Sequence, residues 1–249
     1  MIEQHNTIII IPARMSASSL PGKPLADING VPMIVHVWKR AVAANIGHVL
    51  VAAAENQIAD AVRLSGGDAM VTPLHLTTSM DRIAAALNMR DPALRFENIL
   101  SLPADLPLIE TLALQRCLAG LTNESVDVAT LASPLNDQTL IDDPNIVKVI
   151  TPLNADREVA YARDFVGKLD DSLEPPFWQH IPIYAYRRAA LDKLASLPPS
   201  TRENLRGLEQ MRVLDHDMRI AVVKVDSQPL AVNTPADLEA ARRMIKDLK

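Results

Sequence analysis

The sequence predicts an α/β fold: a single doubly wound, mostly parallel sheet with helices on both faces, continued by an antiparallel or mixed extension. Short β-branched runs recur along the chain, and the stretches between them carry apolar residues at three- and four-residue spacing, the pattern of βαβ units. The runs are TIIIIPA from residue 7, HVLVAAA from 48, AMVT from 69, NILSLPAD from 98 and VDVATLA from 126. Their nearly unbroken hydrophobicity suits parallel strands covered on both sides. PMIVHVWKRAVAA, NQIADAVRLSG, SMDRIAAALNM and LALQRCLAG supply amphipathic helices to cover them.

From about residue 145 the rhythm changes to NIVKVI, EVAYAR, HIPIYAYR and IAVVKV, with breaks at EPPF and LPPS. These segments predict the extension, over about residues 145–225 of a single domain spanning 1–249. The last segment, NTPADLEAARRMIKDLK, predicts an amphipathic helix with Thr234 and Asp237 as a capping box and Pro235 in its first turn.

The chain has 249 residues, 48% hydrophobic and 22% charged, which excludes disordered, collagen-like and disulfide-stapled classes. Twenty-five basic against 30 acidic residues leave a formal charge of −5, which argues against nucleic-acid or anionic-membrane partners. The single cysteine, Cys117, sits in an apolar stretch and reads as a buried thiol. The opening MIEQHNTIIIIPA lacks a basic leader, and its apolar run is far below the roughly 20 residues of a membrane span; a cytoplasmic protein without membrane insertion is expected.

A doubly wound sheet binds ligands where its strands end. The first strand runs into PARMSASSLPGKPL, where Arg14 and Lys23 flank the small residues Ser16, Ala17, Ser18 and Ser19. Two cations around a loop of close-approaching backbone N–H groups outline an anion cradle. The Walker spacing is absent, because Gly22 and Lys23 are followed by Pro24. On these residues alone, a solvated loop with a Pro-Gly turn is an equal reading. The six histidines are scattered without ligand spacing, His36 reads as a packed or capping residue, and no GxSxG elbow occurs.

PAR and LPGKPLADINGVPMIVHV are followed in order by ADLPLI, DPNIVKVI, HIPIYAYRRAAL, LPPSTREN, LEQMRVL and VNTPADLE. Together these segments resemble the 3-deoxy-manno-octulosonate cytidylyltransferases, the CMP-sugar-acid synthetases of lipopolysaccharide assembly, over almost the whole chain. The resemblance implies a nucleotide-diphospho-sugar transferase-like fold and transfer of CMP from CTP to 3-deoxy-manno-octulosonate or a related sugar acid, with release of pyrophosphate. It also implies Mg²⁺ and a homodimer formed through the HIPIYAYR region.

Residue by residue, the resemblance gives Arg14 and Lys23 the triphosphate, Asp105 and Asn233 the Mg²⁺, and Ser16, Ser18 and Arg82 the nucleotide. Read on its own, Asp105 is also a candidate helix N-cap. Arg163, in AYAR, matches an arginine of a YFSR-like stretch and is expected to hold the sugar carboxylate. His180, Tyr184 and Tyr186 are expected to line the sugar pocket, and strand alternation places them on one face with Pro182. Glu209 and Gln210, on a predicted helix in LEQMR, are expected to meet sugar hydroxyls.

Some positions depart from the family. Its S-T-R is Ala17, Ser18, Ser19, its Q-S-G-T-E-R is Thr77 to Arg82, its Q-G before Asp105 is Pro103 and Ala104, and its V-D-T-P aspartate is Asn233. Loss of one carboxylate predicts weaker metal binding. These changes define two further readings: a catalytically impaired nucleotide- or sugar-binding or regulatory relative, and a transferase of altered nucleotide or sugar-acid specificity.

Overall fold

The computed structural model describes residues 4–16, 20–76, 78–170 and 173–247. It resolves two compact units, one formed by residues 2–115 with 229–249 and the other by residues 116–228. In chain order the first holds β1 (Thr7–Ala13), a short hairpin of β2 (Asp27–Ile28) and β3 (Val31–Pro32), α1 (Met33–Ala43), β4 (His48–Ala53), α2 (Asn56–Leu64), β5 (Asp68–Val71), α3 (Ser79–Arg90) and β6 (Asn98–Ser101). A further helix, α4, covers Thr111–Ala119.

The strands of this unit run β5-β4-β1-β6, every neighbouring pair parallel. Ile8, Ile9, Ile10 and Ile11 of β1 are fully buried, which explains why the strand reads as an unbroken apolar run. Helices α1, α2 and α3 pack against β1, β4 and β5. From β1 the chain moves outward through β4 to β5, then returns to place β6 on β1's other side. The order therefore reverses at β1, and the carboxyl ends of β1 and β6 flank the switch point at which such sheets take ligands.

The hairpin turns on Asn29 (φ 56°) and Gly30 (φ 85°), the left-handed pair that a tight two-residue turn needs. The C-terminal helix, Pro235–Asp247, returns to it: Ile28 and Met33 bury against Val232, Leu238, Ala241 and Ile245. Its start is the capping box read from the sequence. Thr234 Oγ1 accepts from Asp237 N at 3.2 Å, and Asp237 Oδ2 accepts from Thr234 N at 2.8 Å. His36 is packed as expected, its Nε2 3.0 Å from the Ile28 carbonyl.

The second unit holds β7 (Val128–Leu135), α5 (Gln138–Asp142), β8 (Lys148–Ile150), β9 (Val159–Tyr161), β10 (Asp164–Val166), β11 (Phe177–Arg187), α6 (Arg188–Ser196), α7 (Thr201–Arg206), α8 (Met211–Asp215) and β12 (Ile220–Lys224). The mixed extension expected over about 145–225 falls within this unit, which also takes in β7, read from the sequence as one of the parallel strands. Strand β7 pairs antiparallel with β11 and parallel with β12, β9 closes on β12 antiparallel, and β8 joins β10 to β11.

The helix expected around LEQMR is shorter than predicted. Glu209 lies in the turn ahead of α8, and Gln210 is its N-cap residue. The preceding helix α7 ends at Gly207 (φ 67°), which releases the chain into that turn. Ser200 and Glu203 form a full capping box on α7. The Glu203 carboxylate also receives Arg212 Nε at 2.7 Å and Nη2 at 2.6 Å, a buried bidentate pair that fixes the turn between the two helices.

Candidate active site

Lys23 reaches the switch point because Gly22, at φ 70°, turns the chain into a single 3₁₀ turn over Lys23–Leu25. Gly22 N also bonds Met15 O at 3.3 Å, which closes the loop that follows β1. The Lys23 ammonium donates to Asp105 Oδ2 at 2.8 Å and to Asn233 Oδ1 at 3.0 Å. Backbone pins the two acceptors together, since Val232 N donates to Asp105 O at 2.9 Å. A lysine after β1, an aspartate after β6 and an asparagine ahead of the C-terminal helix thus converge. Asp105 is no cap of α4, which begins at Thr111.

Asp237 supports this cluster from behind. Its carboxylate accepts from Asn233 N at 3.0 Å and from Thr234 N and Oγ1 at 2.8 and 2.9 Å. Burial works against its ionisation, but these hydrogen bonds and the nearby Lys23 charge hold the carboxyl below the ordinary aspartate range.

Arg14, directly after β1, and Ser16 are exposed at the same edge. Glu55, at the end of β4, accepts from Met15 N at 3.0 Å and so fixes the backbone next to Arg14. Sequence reasoning passed over Glu55, although its position after a parallel strand was a usable signal. Arg82 is buried and binds its own neighbourhood: Nη1 donates to Thr72 Oγ1 and Pro73 O, and Nη2 to Leu76 O at 2.7 Å. Desolvation lowers its affinity for the proton, Glu55 opposes that shift, and the like charge of Arg14 adds to it. Its place is behind the loop, where it sets the shape of residues 72–76. Ser18, with Ala17, Ser19 and Thr77, lies outside the described residues.

In the second unit, β11 carries a row of rings. His180 and Tyr184 lie 5.6 Å apart between centroids, Tyr184 and Tyr186 5.8 Å, and Phe165 meets His180 edge-on at 4.9 Å. The register on β7 slips between Ile181 and Tyr184 by two extra residues of β11, with Pro182 in the irregularity. An even insertion preserves alternation, so the three rings share a face as expected, while Pro182 is exposed.

Thr130 Oγ1 is 3.0 Å from His180 Nε2 and has the carbonyls of Ile181 and Ile183 at 3.2 and 2.8 Å. The Thr130 hydroxyl has one hydrogen to share among these three neighbours, and the neutral ring keeps one N–H donor and one acceptor nitrogen. Burial lowers the His180 pKa to about 3, so the ring is neutral at physiological pH. It can meet a hydroxyl but carries no charge for a carboxylate. Burial also raises both tyrosine pKa values, and the Glu209 charge adds to the effect. Gln210 is buried. Arg163 is exposed, held through its backbone N to Ile150 O at 2.7 Å. Among the described residues no hydrogen bond or ion pair links its side chain to the row.

Comparison with known proteins decides the family. The cytidylyltransferase family profile matches residues 8–220. The 3-deoxy-manno-octulosonate cytidylyltransferase of Paramagnetospirillum magneticum is 42% identical over 239 residues, 96% of this chain and 97% of its own. That of Rhodopseudomonas palustris strain BisB5 is 46% identical over 242 residues, again 96% and 97%. This chain belongs to the 3-deoxy-manno-octulosonate cytidylyltransferase family.

A solved CMP:2-keto-3-deoxy-manno-octonic acid synthetase complexed with CTP matches this family member with a TM-score of 0.87 at 31% identity, over 98% of this chain and 99% of the other. A 4-diphosphocytidyl-2C-methyl-D-erythritol synthase from Anaerococcus prevotii, at TM-score 0.62 and 14% identity over 96% and 98% of the two chains, shares the fold alone.

The donors of this cytidylyltransferase-family site can be weighed against Mg²⁺, which keeps several waters and takes one or two carboxylates plus substrate phosphates. Asp105 and Asn233 offer one carboxylate and one amide oxygen, which fits an ion carried by a triphosphate. Among the described residues no group of three or more His, Cys, Asp or Glu side chains converges. No helix among them is long and apolar enough to cross a membrane.

Proposed function

We propose that this protein transfers CMP from CTP to 3-deoxy-manno-octulosonate, releasing pyrophosphate and supplying an activated sugar acid for lipopolysaccharide assembly. The observation that carries the reading is the convergence of Lys23, Asp105 and Asn233 at the β1–β6 switch point of a chain in this family. A sugar hydroxyl attacks the α-phosphorus and gives up its proton to solvent, a new P–O bond forms, and the bond to the bridging oxygen of pyrophosphate breaks, the pyrophosphate leaving with that electron pair.

Such chemistry depends on positioning and charge neutralisation. Lys23, tethered by the Gly22 turn, and Arg14, tethered by the Glu55 contact beside it, offset the charge that grows on the leaving group. Asp105 and Asn233 Oδ1 would hold Mg²⁺, which when bound would neutralise charge on the phosphate oxygens. In the sugar site the neutral His180 ring meets a hydroxyl, the Tyr184 and Tyr186 phenols and Gln210 offer donors, and Arg163 holds the carboxylate. The reading extends to a cytoplasmic homodimer formed through the β11 region, for which sedimentation equilibrium should give twice the chain mass.

The test is release of pyrophosphate with 3-deoxy-manno-octulosonate, Mg²⁺ and each of four nucleoside triphosphates. Release with CTP, together with formation of the CMP-sugar, supports the proposal. Release with a different nucleotide moves the specificity, and binding of CTP without release overturns the transferase reading.

A further inference from the structure

We infer that Lys23 is a placeholder cation: its ammonium, bridged between Asp105 and Asn233, keeps a divalent ion out until a triphosphate draws the lysine away, so that metal enters only as the metal–triphosphate complex. The inference rests on the reading that this pocket takes a nucleoside triphosphate. Its ground is the geometry. Nζ lies 2.8 Å from Asp105 Oδ2 and 3.0 Å from Asn233 Oδ1, the two oxygens a metal would need. Mg²⁺ would sit about 2.0–2.1 Å from the same atoms, within the space the ammonium fills and against its charge.

The charge balance points the same way. Lys23 and Asp105 cancel, and Asn233 adds nothing. The Asp237 carboxylate behind them keeps its own charge and turns Oδ2 to Asn233 N and to Thr234 N and Oγ1. The bridge of Lys23, Asp105 and Asn233 thus offers a free divalent ion no net negative charge of its own, whereas hard cations depend on such charge to shed their water. A triphosphate changes both terms. It brings several negative charges of its own, and its oxygens give the flexible lysine stem new partners, so Asp105 and Asn233 can turn to the ion. With aspartate in place of Asn233 the bridge itself would hold two carboxylates against one lysine and carry a net negative charge. The amide makes metal entry depend on nucleotide.

Mn²⁺ binding, read from loss of the free-ion electron paramagnetic resonance signal, tests this on the full chain without turnover. Wild-type protein without nucleotide should leave the signal unchanged, and with CTP it should remove more signal than CTP alone. Lys23→Met should bind nucleotide-free Mn²⁺ at least about tenfold more tightly than wild type, as expected when a like charge leaves a partly exposed site. Asn233→Asp should shift in the same direction and serves as the second variant if Lys23→Met does not fold. Equal nucleotide-free affinity in wild type and either folded variant overturns the inference. Absence of CTP binding under every condition overturns the nucleotide reading instead, and the nucleotide-free comparison of wild type with the variants still decides the role of Lys23.

Discussion

At the carboxyl ends of β1 and β6 the working groups are charged and partly exposed, held by loop backbone and reciprocal caps. On β11 they are neutral and buried or half-buried, held by ring packing and by one threonine hydroxyl. The first arrangement keeps its charges near water, where an incoming anion can exchange for existing partners at small cost. The second gives up charge for shape: burial leaves the His180 ring neutral and both tyrosine phenols protonated. A triphosphate is recognised by charge, and a sugar by placed hydrogen bonds on a rigid face. Mutations should therefore act on binding and rate in the first region and on stability in the second.

The largest expected effect sharpens that contrast on the buried side. Arg212→Met leaves the Glu203 carboxylate buried without its bidentate partner and frees the carbonyls of Leu194 and Leu197. It should cost about 3–5 kcal/mol of stability in equilibrium denaturation. On the charged side, Lys23→Met should lower pyrophosphate release about 10²–10³-fold. Its denaturation midpoint should move little, because the side chain forms no part of a core. A large loss of stability with intact turnover would break the comparison.

The two regions should also differ in pH response. The folded pKa of His180 is lowered to about 3 from an ordinary 6.5. Between those values the unfolded chain binds a proton that the native ring refuses. Stability from this residue is therefore complete above about pH 6.5 and declines as pH falls toward 3, by about 1.4 kcal/mol per pH unit at the steepest. His180→Gln should flatten that decline in denaturation curves collected from pH 7 to 4; an unchanged slope would mean that the ring is protonated in the folded protein. The smallest effect belongs to the cap: Thr234→Ala should cost about 1 kcal/mol and should weaken CTP binding only slightly. A loss of CTP affinity as large as that of Lys23→Met would show that the cap, rather than the ion pair, sets the site.

Much of the fold was legible because its signals are local. The Ile8–Ile11 run, the helical spacing of α1 to α4 and the Thr234–Asp237 cap each depend on a few neighbouring residues. The Asn29-Gly30 hairpin and the Ser200–Glu203 capping box were equally local and were passed over. The site was legible only in part, since it depends on distance in three dimensions. Arg14, Lys23 and Asp105 could be placed at strand ends by the rule for parallel sheets. That Asn233 Oδ1 would share the Lys23 ammonium with Asp105, across 210 positions of chain, depends on the return of the C-terminal helix to the hairpin. Arg82 shows the converse: its sequence position suggested substrate, yet its guanidinium is occupied by Thr72, Pro73 and Leu76.

The most direct test of the account is calorimetric titration of CTP, with Mg²⁺ present, into wild-type protein and Lys23→Met. A saturable heat in the wild type, with affinity at least about tenfold weaker in the variant, is the predicted result. No heat in the wild type, or the same affinity in both, would contradict the placement of the triphosphate at Lys23, Asp105 and Asn233.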